Sequence, residues 1–207
     1  MSALRQEKYD IKYTYEDYCN FEDEGTRWEL IDGEAYAMAA TTIKHQEMLG
    51  RIYRRFAEHL DKSKRCKVLF APIDVRLFPK KDDKDKTVLQ PDLLVVCDPK
   101  KLEDGKACKG APDLVIEILS PSNTHHDRMK KFAKYIEAKV KEIWFIDPET
   151  ELVETFLLNE ESGEYEPSFY TNRKSVAVGI LPDLMLSGDD IFGDIDIDID
   201  TDINEEE

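Results

Sequence analysis

Apolar residues along the chain change their period, and the changes mark out its elements. Met48, Leu49, Ile52, Phe56 and Leu60 recur at helical spacing with charged residues mostly between them. They predict an amphipathic helix capped by Thr41 or Thr42. Residues 127–138 repeat the pattern with Phe132, Ala133, Tyr135 and Ile136. Thr14, followed by Glu16 and Asp17, reads as the cap of a short helix. Three short runs rich in β-branched residues, 88–96, 112–120 and 141–148, read as strands buried on both faces. Residues 68–77 read as one further strand. Residues 28–36 form a hairpin around Asp32-Gly33, a pair suited to a tight turn. Residues 152–158 and 165–178 suggest a peripheral hairpin. Residues 79–86 and 98–110 read as loops, and 120–124 as a turn leading to a capped helix start. This order predicts an α/β (α+β) fold, a central mixed β-sheet flanked by helices with extra N- and C-terminal hairpins. Residues 1–193 then make one domain, and 194–207 an appendage.

Charge adds a qualification. The 207 residues carry a net charge of −16, and residues 194–207 hold eight acids and no base, leaving about −8 on the body. Such a balance disfavours nonspecific nucleic-acid binding, which draws on clustered Lys and Arg. Basic clusters remain at Arg51, Arg54 and Arg55, from Lys62 to Lys67, at Lys80 and Lys81, and from Arg128 to Lys134, so a locally positive site survives on an acidic protein. The tail alternates Ile and Asp and reads first as a solvated extension. Its period also suits a strand added to a sheet edge. It lacks the glycine and terminal glutamate spacing of a calcium loop. It would also be placed to compete with DNA for the basic clusters.

No apolar run approaches the roughly 20 residues of a membrane span, and the polar first ten residues do not read as a signal peptide. Cys19, Cys66, Cys97 and Cys108 are scattered without a CxxC. They read as reduced thiols of a cytoplasmic protein, Cys97 acting as a small hydrophobe at a strand end. None reads as a metal ligand.

The buried run 88–96 carries Asp92, and the run 112–120 carries Glu117. Losing hydration there is costly unless a cation or hydrogen bonds compensate. If the strands are neighbours, both acids can converge on one divalent cation, and magnesium accepts two carboxylates plus waters. With a lysine alongside, that set has the parts needed to hydrolyse a phosphodiester. Asp113 shares a strand face with Glu117 and competes as a ligand.

The ordered set Trp28-Glu29-Leu30-Ile31-Asp32-Gly33-Glu34, His45, Pro91-Asp92, Glu117-Ile118-Leu119-Ser120-Pro121-Ser122, Asp127, Lys131, Tyr135 and Glu142-Ile143-Trp144-Phe145-Ile146-Asp147-Pro148 resembles the Uma2 family. That family lies within the PD-(D/E)XK restriction-endonuclease-like superfamily. The resemblance implies a restriction-endonuclease-like core and a magnesium-dependent endonuclease acting on DNA, with manganese as a substitute, working as a homodimer. Asp92 and Glu117 would bind the metal, with Asp92, Glu117 and Lys131 catalytic. The superfamily pattern puts lysine two residues after the glutamate, where this chain has Leu119, so Lys131 from the following helix takes that part. Lys130 points about 100° away, whereas Lys131 shares its face with Tyr135. Glu29, His45, Asp113 and Tyr135 are accessory candidates. Asp127 reads as a helix cap, and His125 and His126 as loop histidines. Two other readings are a catalytically inactive binding protein with the same fold and a phosphodiesterase acting on another nucleic acid.

Overall fold

A computed structural model describes residues 12–21, 26–120 and 125–193. The turn at 121–124, the side chains of His125 and His126 and the acidic tail lie outside the described residues.

Local signals set the first elements. Thr14 and Asp17 form a reciprocal capping box on α1 (Tyr15–Tyr18). Strands β1 (Trp28–Ile31) and β2 (Glu34–Ala37) meet at Asp32 and Gly33. Both turn residues have positive φ, 52° and 83°, which the right-handed twist of a two-residue hairpin favours. Helix α2 (Ile43–Ser63) starts at Thr42, whose hydroxyl accepts from the His45 amide, and buries Met48, Leu49, Ile52, Phe56 and Leu60.

The remaining elements are β3 (Lys67–Phe70), β4 (Asp74–Arg76), β5 (Val88–Leu89), β6 (Leu93–Val96), β7 (Ala107–Lys109), β8 (Leu114–Ile118), α3 (His125–Glu137), β9 (Glu142–Asp147), β10 (Leu152–Leu158), β11 (Tyr165–Tyr170), β12 (Val176–Ala177), β13 (Met185–Leu186) and α4 (Gly188–Phe192). Six strands form the central sheet in the order β11-β10-β9-β8-β6-β3. It is mixed, because β8 and β9 run parallel while the other pairs are antiparallel.

Alternation along the central strands feeds two cores. Leu93, Val95, Leu114 and Ile116 pack with α2 and the C-terminal segment on one face. Leu94, Val96, Val115 and Phe145 pack on the other, with Tyr135 and Phe132 of α3. A second sheet, β2-β1-β5-β4-β7, covers that second face beside α3, joining the core through Ile31, Val75 and Leu89.

Five expectations are corrected. Residues 88–96 are two strands, β5 in the second sheet and β6 in the central one, broken at Pro91, which has no N–H for a ladder, with Asp92 in the break just before β6. Residues 68–77 are two strands in different sheets, β3 and β4, separated at Pro72, where proline cannot donate to a ladder. The 98–110 segment holds a 3-10 turn (Pro99–Leu102) and β7, which pairs in parallel with β4. The C-terminal hairpin ends at Tyr170, because Val176 pairs with Leu186 instead. The cysteines are not all free thiols. Register sets Lys67 opposite Val96, so the flanking Cys66 and Cys97 face each other and form a disulfide, with Cα atoms 4.0 Å apart. Cys19 and Cys108 are free. Among the described residues no helix is long and apolar enough to cross a membrane.

Candidate active site

The pairing of β6 with β8 sets the centre. Leu93 lies opposite Ile116 in the antiparallel register. One step back along β6 and one forward along β8 therefore bring Asp92 opposite Glu117, on the face that α3 covers. Strand β1 adds Glu29 from the second sheet. The three acids are nearly inaccessible, with Glu29 and Glu117 4% exposed and Asp92 9%.

Lys131 joins them from the second turn of α3. Its Nζ donates to both carboxylate oxygens of Glu117 at 3.2 Å and lies 2.9 Å from Glu29 Oε1. The neighbouring lysines turn elsewhere, as helical geometry requires. Lys130 reaches Tyr36 and Glu34, and Lys134 reaches Asp32 and Glu137. One turn after Lys131, the Tyr135 hydroxyl donates to Glu117 Oε1 at 2.5 Å.

Each acid is also anchored at its back. The Gln90 amide donates to Glu29 Oε1 at 2.7 Å. The Ile118 amide donates to Asp92 Oδ2 at 2.7 Å, and His45 Nε2 lies 3.2 Å from the same oxygen. Both contacts end on Oδ2, and Asp92 lines the cleft. His45 Nδ1 is buried with no hydrogen-bond partner among the described residues.

Charge at this centre is unbalanced. Burial pushes the Glu117 carboxyl up to about 7; Lys131 opposes that shift, and Asp92 and Glu29 add to it. Burial also works against charge on Lys131, but Glu117 and Glu29 outweigh it and hold the ammonium protonated. Tyr135 is raised well above the ordinary phenol value by burial and by Glu117, so it remains a donor. For His45, burial opposes the imidazolium and Asp92 overcomes it. With all three carboxylates ionised, Lys131 and an imidazolium on His45 still leave one negative charge over, which a divalent cation would neutralise. Among the described residues no three such side chains converge tightly enough to enclose an ion by themselves. Asp92 and Glu117, opposite each other in the register of β6 and β8, are a donor set that fits a cation held by two carboxylates with water completing its shell.

A cleft of about 170 Å³ opens onto the centre. Arg27, Glu29, Ile31 and Tyr36 of the hairpin line one wall, and residues 37–41 and His45 continue it. Ser120, Asp127 and Lys131 line the facing wall.

Of the residues singled out in the sequence, Asp92, Glu117, Lys131, Tyr135, Glu29 and His45 come together here. Asp113 does not. It sits four residues from Glu117 at the far end of β8, roughly 13 Å along an extended strand. There it accepts from the Cys97 amide and pairs with Lys141. Asp127 is the third residue of α3 rather than its cap, and His125 and His126 begin that helix rather than precede it. Arg27 was missed, although period-2 alternation with Glu29 was a usable signal.

Comparison with known proteins agrees with the architecture. A putative nuclease belonging to DUF820 from Anabaena variabilis superposes with a TM-score of 0.69 at 19% identity, covering 86% of this chain and 97% of that one. An uncharacterised protein of Synechocystis is 25% identical over 185 residues, covering 86% of this chain and 93% of the relative. Residues 13–187 match the Uma2 family, described as "Putative restriction endonuclease". With that span matched, the chain belongs to the Uma2 family.

Proposed function

We propose that the protein is a metal-dependent endonuclease that hydrolyses DNA phosphodiester bonds. The family description is of a nuclease, which gives hydrolysis of nucleic acid as the general activity. The observation that carries the finer reading is the position of Lys131, within 3.2 Å of Glu117 and 2.9 Å of Glu29. It supplies from a helix the cation that Leu119 denies to the strand.

Asp92 and Glu117 would hold the metal, magnesium by its preference for oxygen ligands with manganese as a substitute. When bound, the cation supplies Lewis acidity to a phosphoryl oxygen and acidifies a water. The protein's own groups do the rest. Lys131 is held protonated beside the reacting phosphate and stabilises charge developing on the pentacoordinate transition state. The Ile118 amide and His45 fix Asp92 through Oδ2, which would leave Oδ1 to hold the metal. Tyr135 fixes Glu117 and, together with the packed floor of β6 and β8, keeps bulk water from the back of the site. A homodimer would bring two such centres to the two strands of a duplex.

Supercoiled plasmid incubated with magnesium tests the proposal. The protein should nick it, chelation should stop the reaction, and Glu117→Ala should remove it. Nicking that survives Glu117→Ala would sink this assignment.

A further inference from the structure

Among the described residues, the lysines and arginines around the cleft are paired with carboxylates, with one exception. Lys131 is matched by Glu29 and Glu117, Lys130 by Glu34, Lys134 by Asp32 and Glu137, Arg128 by Glu154, and Lys44 by Glu149. Arg27 lines the same cleft and makes no ion pair among the described residues. Its five donors stay available for a ligand that arrives from solution.

Strand geometry says where that ligand sits. Arg27, Glu29 and Ile31 alternate onto one face and all line the cleft. Two residues along an extended strand are about 6.8 Å, so Arg27 stands one such step outward from Glu29 and its bound Lys131. A group held there lies beside the reacting centre and not on it. Planar, bidentate donors suit the nonbridging oxygens of a phosphate.

We propose that Arg27 binds a backbone phosphate flanking the one that reacts, and so sets the register of a nucleic-acid strand in the cleft. The inference rests on the nuclease reading and adds the residue that recognises the substrate. Arg27 is a positioning residue: it touches substrate but not the scissile bond.

The test is binding of a fluorescent DNA duplex by the full chain across a salt series, with Glu117→Gln present in every protein to block cleavage. Adding Arg27→Ala should weaken binding about three- to tenfold at low salt. It should also reduce the slope of log affinity against log salt by about one, the signature of one lost phosphate contact. Arg27→Lys should restore the slope and only part of the affinity, because an ammonium keeps the charge but not the fork. The melting temperature should not move, since Arg27 has no partner to lose. An unchanged slope and affinity in Arg27→Ala would overturn the inference. The two readings separate when the parent protein, with Glu117 intact, is tested for nicking. Nicking with an unchanged slope removes Arg27 alone. An Arg27-dependent slope without nicking supports the phosphate contact and removes the nuclease assignment. No binding of DNA by the parent overturns the inference outright.

Discussion

Glu117 and Glu142 are buried glutamates on neighbouring parallel strands, and their surroundings differ in one respect that separates chemistry from architecture. Glu142 accepts from the Trp144 indole at 2.7 Å and from the Gly179 and Ile180 amides at 3.0 and 2.9 Å. All three donors are neutral, and they tie the C-terminal segment onto β9. Burial still raises its pKa, with those donors pulling the other way. Glu117 instead meets a lysine, a tyrosine and two further carboxylates. A buried acid with neutral donors to both oxygens supports the fold. A buried acid crowded by other acids stores a demand for positive charge, and a functional site does the same at a cost in stability.

Exchanging the two residues' fates breaks the comparison most sharply. Glu117→Gln should lower kcat by about 10³-fold or more while the protein stays folded. Glu142→Ala should do the reverse, costing about 2–4 kcal/mol through three unpaired donors while each folded molecule keeps its activity. Chemical denaturation paired with nicking rates on both variants measures this, and equal activity losses would erase the distinction. Lys131→Met comes next, with a loss of about 10²–10³-fold in kcat and metal binding retained by calorimetry. Loss of metal binding instead would make Lys131 a folding element of the site. Tyr135→Phe removes one donor from Glu117 and should weaken metal affinity roughly tenfold, with little change in secondary structure by circular dichroism.

The smallest effect is on stability against pH. Glu117 in the folded, metal-free protein keeps its proton up to about 7, against an ordinary value of 4.5. Between those values the folded state binds more protons than the unfolded one, so stability from this group falls as pH rises through the window. Urea titrations from pH 4.5 to 7.5 should show that fall in the parent and a flatter profile in Glu117→Gln. Parallel profiles would show that Glu117 titrates normally.

Much of this contrast is readable in the residue order. Two acids in apolar runs announce a cost that something must offset, and the family resemblance points to Lys131, with helical periodicity turning Lys130 onto another face. The Asp32-Gly33 turn and the Thr42 cap are local chemistry, so they too are legible. What depends on register is not. Nothing in the spacing of Cys66 and Cys97 places them opposite each other; the β3–β6 pairing does. Asp113 and Glu117 share a strand face, yet strand length carries Asp113 to the wrong end. The short β7 hides in a polar segment because its contribution is a parallel ladder to β4, formed across a long separation. Arg27 shares the period-2 face of Glu29 in the sequence, but its lack of an ion-pair partner among the described residues is not something a sequence displays.

Anomalous diffraction from manganese-soaked crystals tests the central claim most directly. The account predicts a peak within coordinating distance of Asp92 Oδ1 and the Glu117 carboxylate, with Lys131 beside it. Manganese bound elsewhere, with Glu117 still clasped by Lys131 and no peak in the cleft, would contradict it.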